Sequence, residues 1–132
     1  MSLSNYMVEK RNIMNYKNMD ALDYMRTLPD KSMDLIILDP PSTSVGKKKK
    51  RWSAARDYPE LVALTLPLLN PGGRLLTCTN SRKLSPYKFA KSLEMVMPHS
   101  EGFQLERVCS PGLDFPTDDP LPVKNLIWRA PR

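Results

Sequence analysis

The chain has 132 residues, 41% of them hydrophobic, and a formal net charge of +6, a size and composition that admit one domain with one core. No run approaches 18 apolar residues and Met1–Asn12 holds no apolar h-region, which excludes a membrane helix and a secretory signal and predicts an intracellular, cytoplasmic protein. Cys78 and Cys109 lack a metal-ligand spacing and His99 is the only histidine, so two reduced core thiols and no metal site are expected.

Met1 to Ile13 is polar and shows no strong period. Asn15 to Met19 has the length of a short strand, and Asp20 then precedes Ala21, Leu22, Met25 and Leu28, which recur at helical spacing behind a capping acid. Met33 to Leu38 is the organising stretch. An uninterrupted Leu-Ile-Ile-Leu run suits a strand covered on both faces of a parallel α/β sheet, with Asp39 at its carboxyl end, where such sheets bind ligands. Pro40 and Pro41 cannot donate to a ladder and have a fixed φ; they form a stiff shelf beside the carboxylate. From Thr43 to Ala54 the sequence reads as a loop, with Lys47, Lys48, Lys49, Lys50 and Arg51 in succession and then Trp52. The five cations are a candidate phosphate contact or a solvated surface loop, and Trp52 can stack on a base or pack.

Asp57 reads as the N-cap of a helix with Pro59 and Glu60 in its first turn. Leu61, Leu64, Thr65, Leu68 and Leu69 supply its apolar face, and Asn70-Pro71-Gly72-Gly73 ends it. Arg74 to Asn80 is a strand that again reaches the carboxyl edge. A helix capped by Ser85 or Ser81 follows through Phe89, Leu93 and Val96 to Pro98. Phe103–Cys109 and Lys124–Ala130 are two strands around a proline-rich stretch, 110–122, and form an antiparallel edge. This order predicts a mixed α/β sheet with helices on its faces.

Asp20-Ala-Leu-Asp-Tyr, Met33-Asp-Leu-Ile-Ile-Leu-Asp-Pro-Pro-Ser, Arg56-Asp-Tyr-Pro-Glu-Leu, Asn70-Pro-Gly-Gly and Val123-Lys-Asn-Leu-Ile-Trp-Arg together resemble the later motifs of class I S-adenosylmethionine-dependent methyltransferases, in the subgroup that modifies bases of large-subunit ribosomal RNA. The resemblance runs from about Asn15 to Ala130. It implies a Rossmann-like sheet and S-adenosylmethionine as cofactor, with Asp20 and Ala21 at the adenine end in preference to Asp20 serving as a helix cap only. It places Asp39, Pro40 and Pro41 where a flipped base meets the methyl group, so positioning dominates the chemistry. Ser42, Lys47–Arg51 and Trp52 then fall on the RNA side.

Three features depart from that pattern. Amine-methylating relatives place an aromatic after the two prolines, where this chain has Ser42. Carbon-methylating relatives need a cysteine where this chain has Asn80; Cys78 lies two residues back, about 6–7 Å along a strand. The run from Thr79 to Lys83 is closer to relatives that methylate a guanine ring nitrogen. The five glycines, at 46, 72, 73, 102 and 112, form no Gly-x-Gly turn, and Glu9 is not placed to hold a ribose.

The resemblance is therefore to the carboxyl-terminal part of a methyltransferase domain, residues 1–132, lacking the first two strands of the sheet. In the family's order, 3-2-1-4-5-7-6, the strand Leu35–Leu38 then has an open edge. That edge is expected to be filled by a second copy, most simply in a homodimer, or by the Asn15 segment. Two functions are open: an RNA methyltransferase whose isolated fragment binds cofactor weakly or not at all, and a catalytically silent basic module that binds RNA or protein.

Overall fold

In a computed structural model the described residues are 17–45, 51–109 and 123–132. Helix α1 (Ala21–Thr27) begins where the sequence places its cap, with Asp20 Oδ1 accepting from the N–H groups of Leu22 at 3.0 Å and Asp23 at 3.3 Å. Lys17–Met19 carry no strand, and Asn15 and Tyr16 lie outside the described residues, as does Glu9. Strand β1 (Met33–Leu38) leads into a short antiparallel hairpin, β2 (Thr43–Val45) with β3 (Arg51–Ser53), and then helix α2 (Ala54–Thr65). A 3-10 turn, Leu66–Leu68, passes into β4 (Leu69–Thr79); α3 (Pro86–Glu94), β5 (Gln104–Cys109) and β6 (Lys124–Arg129) complete the order. Ser85 caps α3, its hydroxyl accepting from the Lys88 N–H.

The main sheet runs β1-β4-β6-β5, with β1 parallel to β4 and the other pairs antiparallel. This is the 4-5-7-6 half of the expected methyltransferase sheet. Helices α2 and α3 cover one face of it. Tyr58, Val62, Phe89 and Leu93 pack there against Leu75, Leu126 and Trp128, all almost wholly buried.

Five sequence expectations change. Strand β1 is covered on one face rather than two: Ile36 and Leu38 face the core, while Leu35 and Ile37 are 55% and 59% exposed. Among the described residues its outer edge is unpaired, and nothing in the structure supports the expected homodimer. The stretch predicted as a loop is the β2–β3 hairpin, whose turn residues Lys47–Lys50 lie outside the described ones. Helix α2 starts at Ala54 behind Ser53, not behind Asp57; the Asp57 carboxylate instead accepts from the Ser53 N–H at 2.9 Å, satisfying an orphan donor from inside the helix. Its buried stripe is Ala54, Tyr58, Val62 and Thr65, leaving Leu64 44% exposed. Cys78 is buried as expected, but Cys109 is only half-buried.

The Asn70–Gly73 segment is an excursion within β4, where Met33 and Leu35 of β1 face Leu69 and Arg74. Gly72 has φ +71°, and a Cβ on Gly73 would lie 2.9 Å from the Asn70 carbonyl oxygen and 3.3 Å from that of Asp34. Two glycines meet two separate needs there, one of backbone conformation and one of space.

At the end of the sheet away from Asp39, the like-charged cross-strand pair Arg74 and Arg129 is bridged by Glu106, at 2.9 Å and 2.7 Å. The Arg74 hydrogen bond, helped by the charges of Arg129 and Arg74, outweighs desolvation and holds the Glu106 carboxyl below its ordinary 4.5. A depressed carboxyl stabilises the fold above its unfolded-state value and loses that contribution as pH falls through the folded one. Stability is thus expected to decline more steeply with acid below pH 4.5 in the parent than in Glu106→Gln. Parallel acid-unfolding curves for the two would remove this role.

Candidate active site

Parallel pairing sets the carboxyl ends of β1 and β4 side by side, and antiparallel β6 begins at that same end, since Thr79 faces Lys124. Asp39 is the exposed residue just past β1, and Asn80 the exposed residue just past β4. The sequence-predicted shelf is intact: Pro40 and Pro41 leave β1, and the Ser42 carbonyl accepts from the Ala54 N–H at 2.9 Å, fixing the shelf to the start of α2.

Two open cavities meet at the shelf, and both are lined by Pro40 and Pro41. The first, about 390 Å³, is walled by Asp20, Ala21, Leu22, Arg51, Trp52 and Leu61. The second, about 650 Å³, adds Asp39, Ser42, Thr43, Asn80 and Val123. The structure thus gathers Asp39, Pro40, Pro41, Ser42 and Asn80 on one side and Asp20 and Ala21 on the other. Arg51 and Trp52 line the Asp20 cavity and are not brought to Asn80; Trp52 also packs on Tyr58, ring centroids 6.3 Å apart.

Two supporting residues carry roles the sequence reading missed. The buried Tyr58 hydroxyl lies within donating distance of the Leu38 carbonyl (3.1 Å) and the Cys78 carbonyl (2.9 Å), and accepts from the Cys78 N–H at 3.0 Å. It ties together the ends of β1 and β4, and burial pushes its pKa far above the ordinary phenol value. Lys124 is 3% exposed and its ammonium donates to the Ser81 carbonyl at 2.7 Å. A lysine inside a strand pattern was the available signal, because a buried ammonium needs a partner. Cys78 has its thiol pKa raised by burial first and by the Asp39 charge second, which disfavours the thiolate a nucleophile requires.

The Asp20 cavity has residues that could hold the adenine end of an adenosyl cofactor. Asp20 Oδ1 serves as helix cap, while Oδ2 has no protein partner among the described residues and can accept from an exocyclic amine; Ala21, Pro40, Leu61 and Trp52 offer apolar walls for a flat ring. The described residues supply no glycine-rich turn, and the acids Asp57 and Glu60 line the same cavity beside Asp20.

No protein-family model matches the chain. It is 31% identical over 114 residues, 84% of its length, to YwbD of Bacillus subtilis, provisionally named a ribosomal RNA large subunit methyltransferase. It is 35% identical over 80 residues, 59% of its length, to ribosomal RNA large subunit methyltransferase I of Shewanella frigidimarina. Its fold matches SMU.776, provisionally named a methyltransferase and solved with SAH, at TM-score 0.71 and 21% identity over 96% of the chain.

The chain resembles large-subunit ribosomal RNA methyltransferases in sequence and shares the methyltransferase fold. It spans 28% and 20% of the lengths of the two curated relatives and 35% of the SMU.776 chain. A second structure, a provisionally named SAM-dependent methyltransferase from Streptococcus mutans, matches at TM-score 0.67 and 23% identity over 85% of the chain. What the two solved structures share with the present chain is its fold. No helix among its described residues is long and apolar enough to cross a membrane.

Proposed function

We propose that this chain is the substrate-side part of an RNA base methyltransferase that uses S-adenosylmethionine, with ribosomal RNA as the RNA class. The observation that carries the reading is the diproline wall shared by two cavities: one side suits an adenine ring, the other a base taken out of its stack. Relatives named for large-subunit ribosomal RNA support the substrate class. S-adenosylmethionine supplies the methyl group when bound.

In this reading Asp20 and Ala21 take the adenine end, and Asp39, Pro40, Pro41 and Asn80 fix the base in line with the methyl donor. Ser42 belongs to the base pocket and Lys47, Lys48, Lys49 and Lys50 to the flank that meets RNA, while Arg51 and Trp52, expected on that flank from the sequence, line the adenine side. Alignment rather than proton transfer is the protein's contribution. A silent RNA-binding module is favoured by one observation, the lack of any Gly-x-Gly turn in the sequence.

Calorimetric titration with S-adenosylmethionine tests the methyltransferase reading: micromolar binding by these 132 residues supports it over the silent module, whereas RNA binding with no cofactor heat is the outcome that both readings allow for the isolated chain. For RNA, neutralising Lys47–Lys50 is expected to lower the slope of log K against log salt by about 0.7 for each phosphate no longer paired with a cation. An unchanged slope assigns that run to a solvated surface.

A further inference from the structure

Among the described residues the Asn80 side chain has one hydrogen-bond partner. The Ser42 hydroxyl donates to Asn80 Oδ1, joining the residue after the diproline shelf to the residue after β4, 38 positions apart in sequence. An asparagine amide has one acceptor oxygen and two donor hydrogens on nitrogen. With the oxygen engaged by Ser42, the NH2 group is what remains, and it has no protein partner among the described residues. Asn80 is exposed and lines the 650 Å³ cavity together with Asp39, Ser42 and Thr43.

The backbone beneath it is held independently. Lys124 donates to the Ser81 carbonyl at 2.7 Å, the Ser81 N–H donates to Thr79 Oγ1 at 3.2 Å, and the Lys83 N–H reaches Ser81 Oγ at 3.4 Å. These hydrogen bonds fix where Asn80 leaves the sheet, and Ser42 fixes which end of its amide faces outward. A donor held in advance loses little freedom on binding.

We infer that the Ser42–Asn80 pair is the specificity-determining element of this cavity: Ser42 locks the Asn80 amide so that its NH2 donates to an acceptor, a carbonyl oxygen or ring nitrogen, on the bound base. This rests on the base pocket proposed above and adds what that pocket selects. An edge that offers only N–H groups at this point meets a donor with a donor and leaves both unpaired, the costly arrangement for polar groups removed from water.

The test uses uniformly 15N-labelled chain, the Asn80 NH2 resonances assigned by their loss in Asn80→Leu. The probes are guanosine 5′-monophosphate and uridine 5′-monophosphate, each with a carbonyl acceptor on its base, against ribose 5-phosphate. Both nucleotides are expected to shift the Asn80 NH2 pair while ribose 5-phosphate does not. Asn80→Leu should weaken nucleotide binding about tenfold, and Ser42→Ala should at least halve the shift in the remaining NH2 signal. The inference is overturned if the Thr43 and Val123 amides shift while the Asn80 NH2 stays in place, if no cavity residue responds up to the solubility limit, or if Ser42→Ala leaves the NH2 response unchanged. Nucleotide shifts without cofactor heat leave this inference standing and remove methyl transfer by the chain; cofactor heat without the NH2 response removes the inference alone.

Discussion

Tyr58→Phe is expected to destabilise the fold by about 2–3 kcal/mol, because the deleted hydroxyl serves the Leu38 and Cys78 carbonyls and the Cys78 N–H at one buried point. The ring itself stays: it packs edge-on against Phe89 with centroids 4.9 Å apart, so no cavity is added to the cost. On a total of roughly 5–15 kcal/mol this is a large fraction. For a chain of this size it corresponds to a fall in Tm of about 10 °C. Denaturant unfolding should show a lower midpoint with the same slope, and amide exchange should quicken first at the ends of β1 and β4. A destabilisation under about 0.5 kcal/mol would mean that the hydroxyl is merely accommodated there. The seam would then be held by its ladder alone.

Asp39→Ala has the opposite signature. Its carboxylate is exposed and no hydrogen bond to it is found among the described residues, so the substitution should move stability by no more than about 0.5 kcal/mol, as at other surface positions. Methyl transfer by the active protein is expected to fall by about 100-fold or more, the scale expected when a positioning group is removed. Measured side by side, a Tm that collapses together with the activity would make Asp39 a structural cap. An unchanged rate would remove it from the reacting centre.

Local features of the sequence determined most of the elements. The four-residue apolar run made β1, the Asp20 and Ser85 side chains capped α1 and α3, and the apolar spacing around Phe89 and Leu93 set the buried face of α3. These readings succeed because each depends on a period or a capping group within a few residues. The motif order placed Asp39 and Asn80 at strand ends, and parallel pairing then brought them to one edge.

What tertiary structure alone decided depends on partners distant in sequence. The run Leu35–Leu38 reads as apolar on both faces, yet only Ile36 and Leu38 find α2 and α3, because coverage is a property of neighbouring elements and not of the strand. Leu61 and Leu64 sit at helical spacing beside Tyr58 and Val62, and only the sheet's position chose the second stripe to bury, leaving the first for the Asp20 cavity. Asp57 carries a good capping side chain but sits inside a helix whose start is set by the hairpin pairing of Ser53 with Thr43. The Ser42–Asn80 hydrogen bond, the Tyr58 tie and the buried Lys124 each join residues 20 or more positions apart. No local period encodes such a meeting; it exists only once the strands have taken their register.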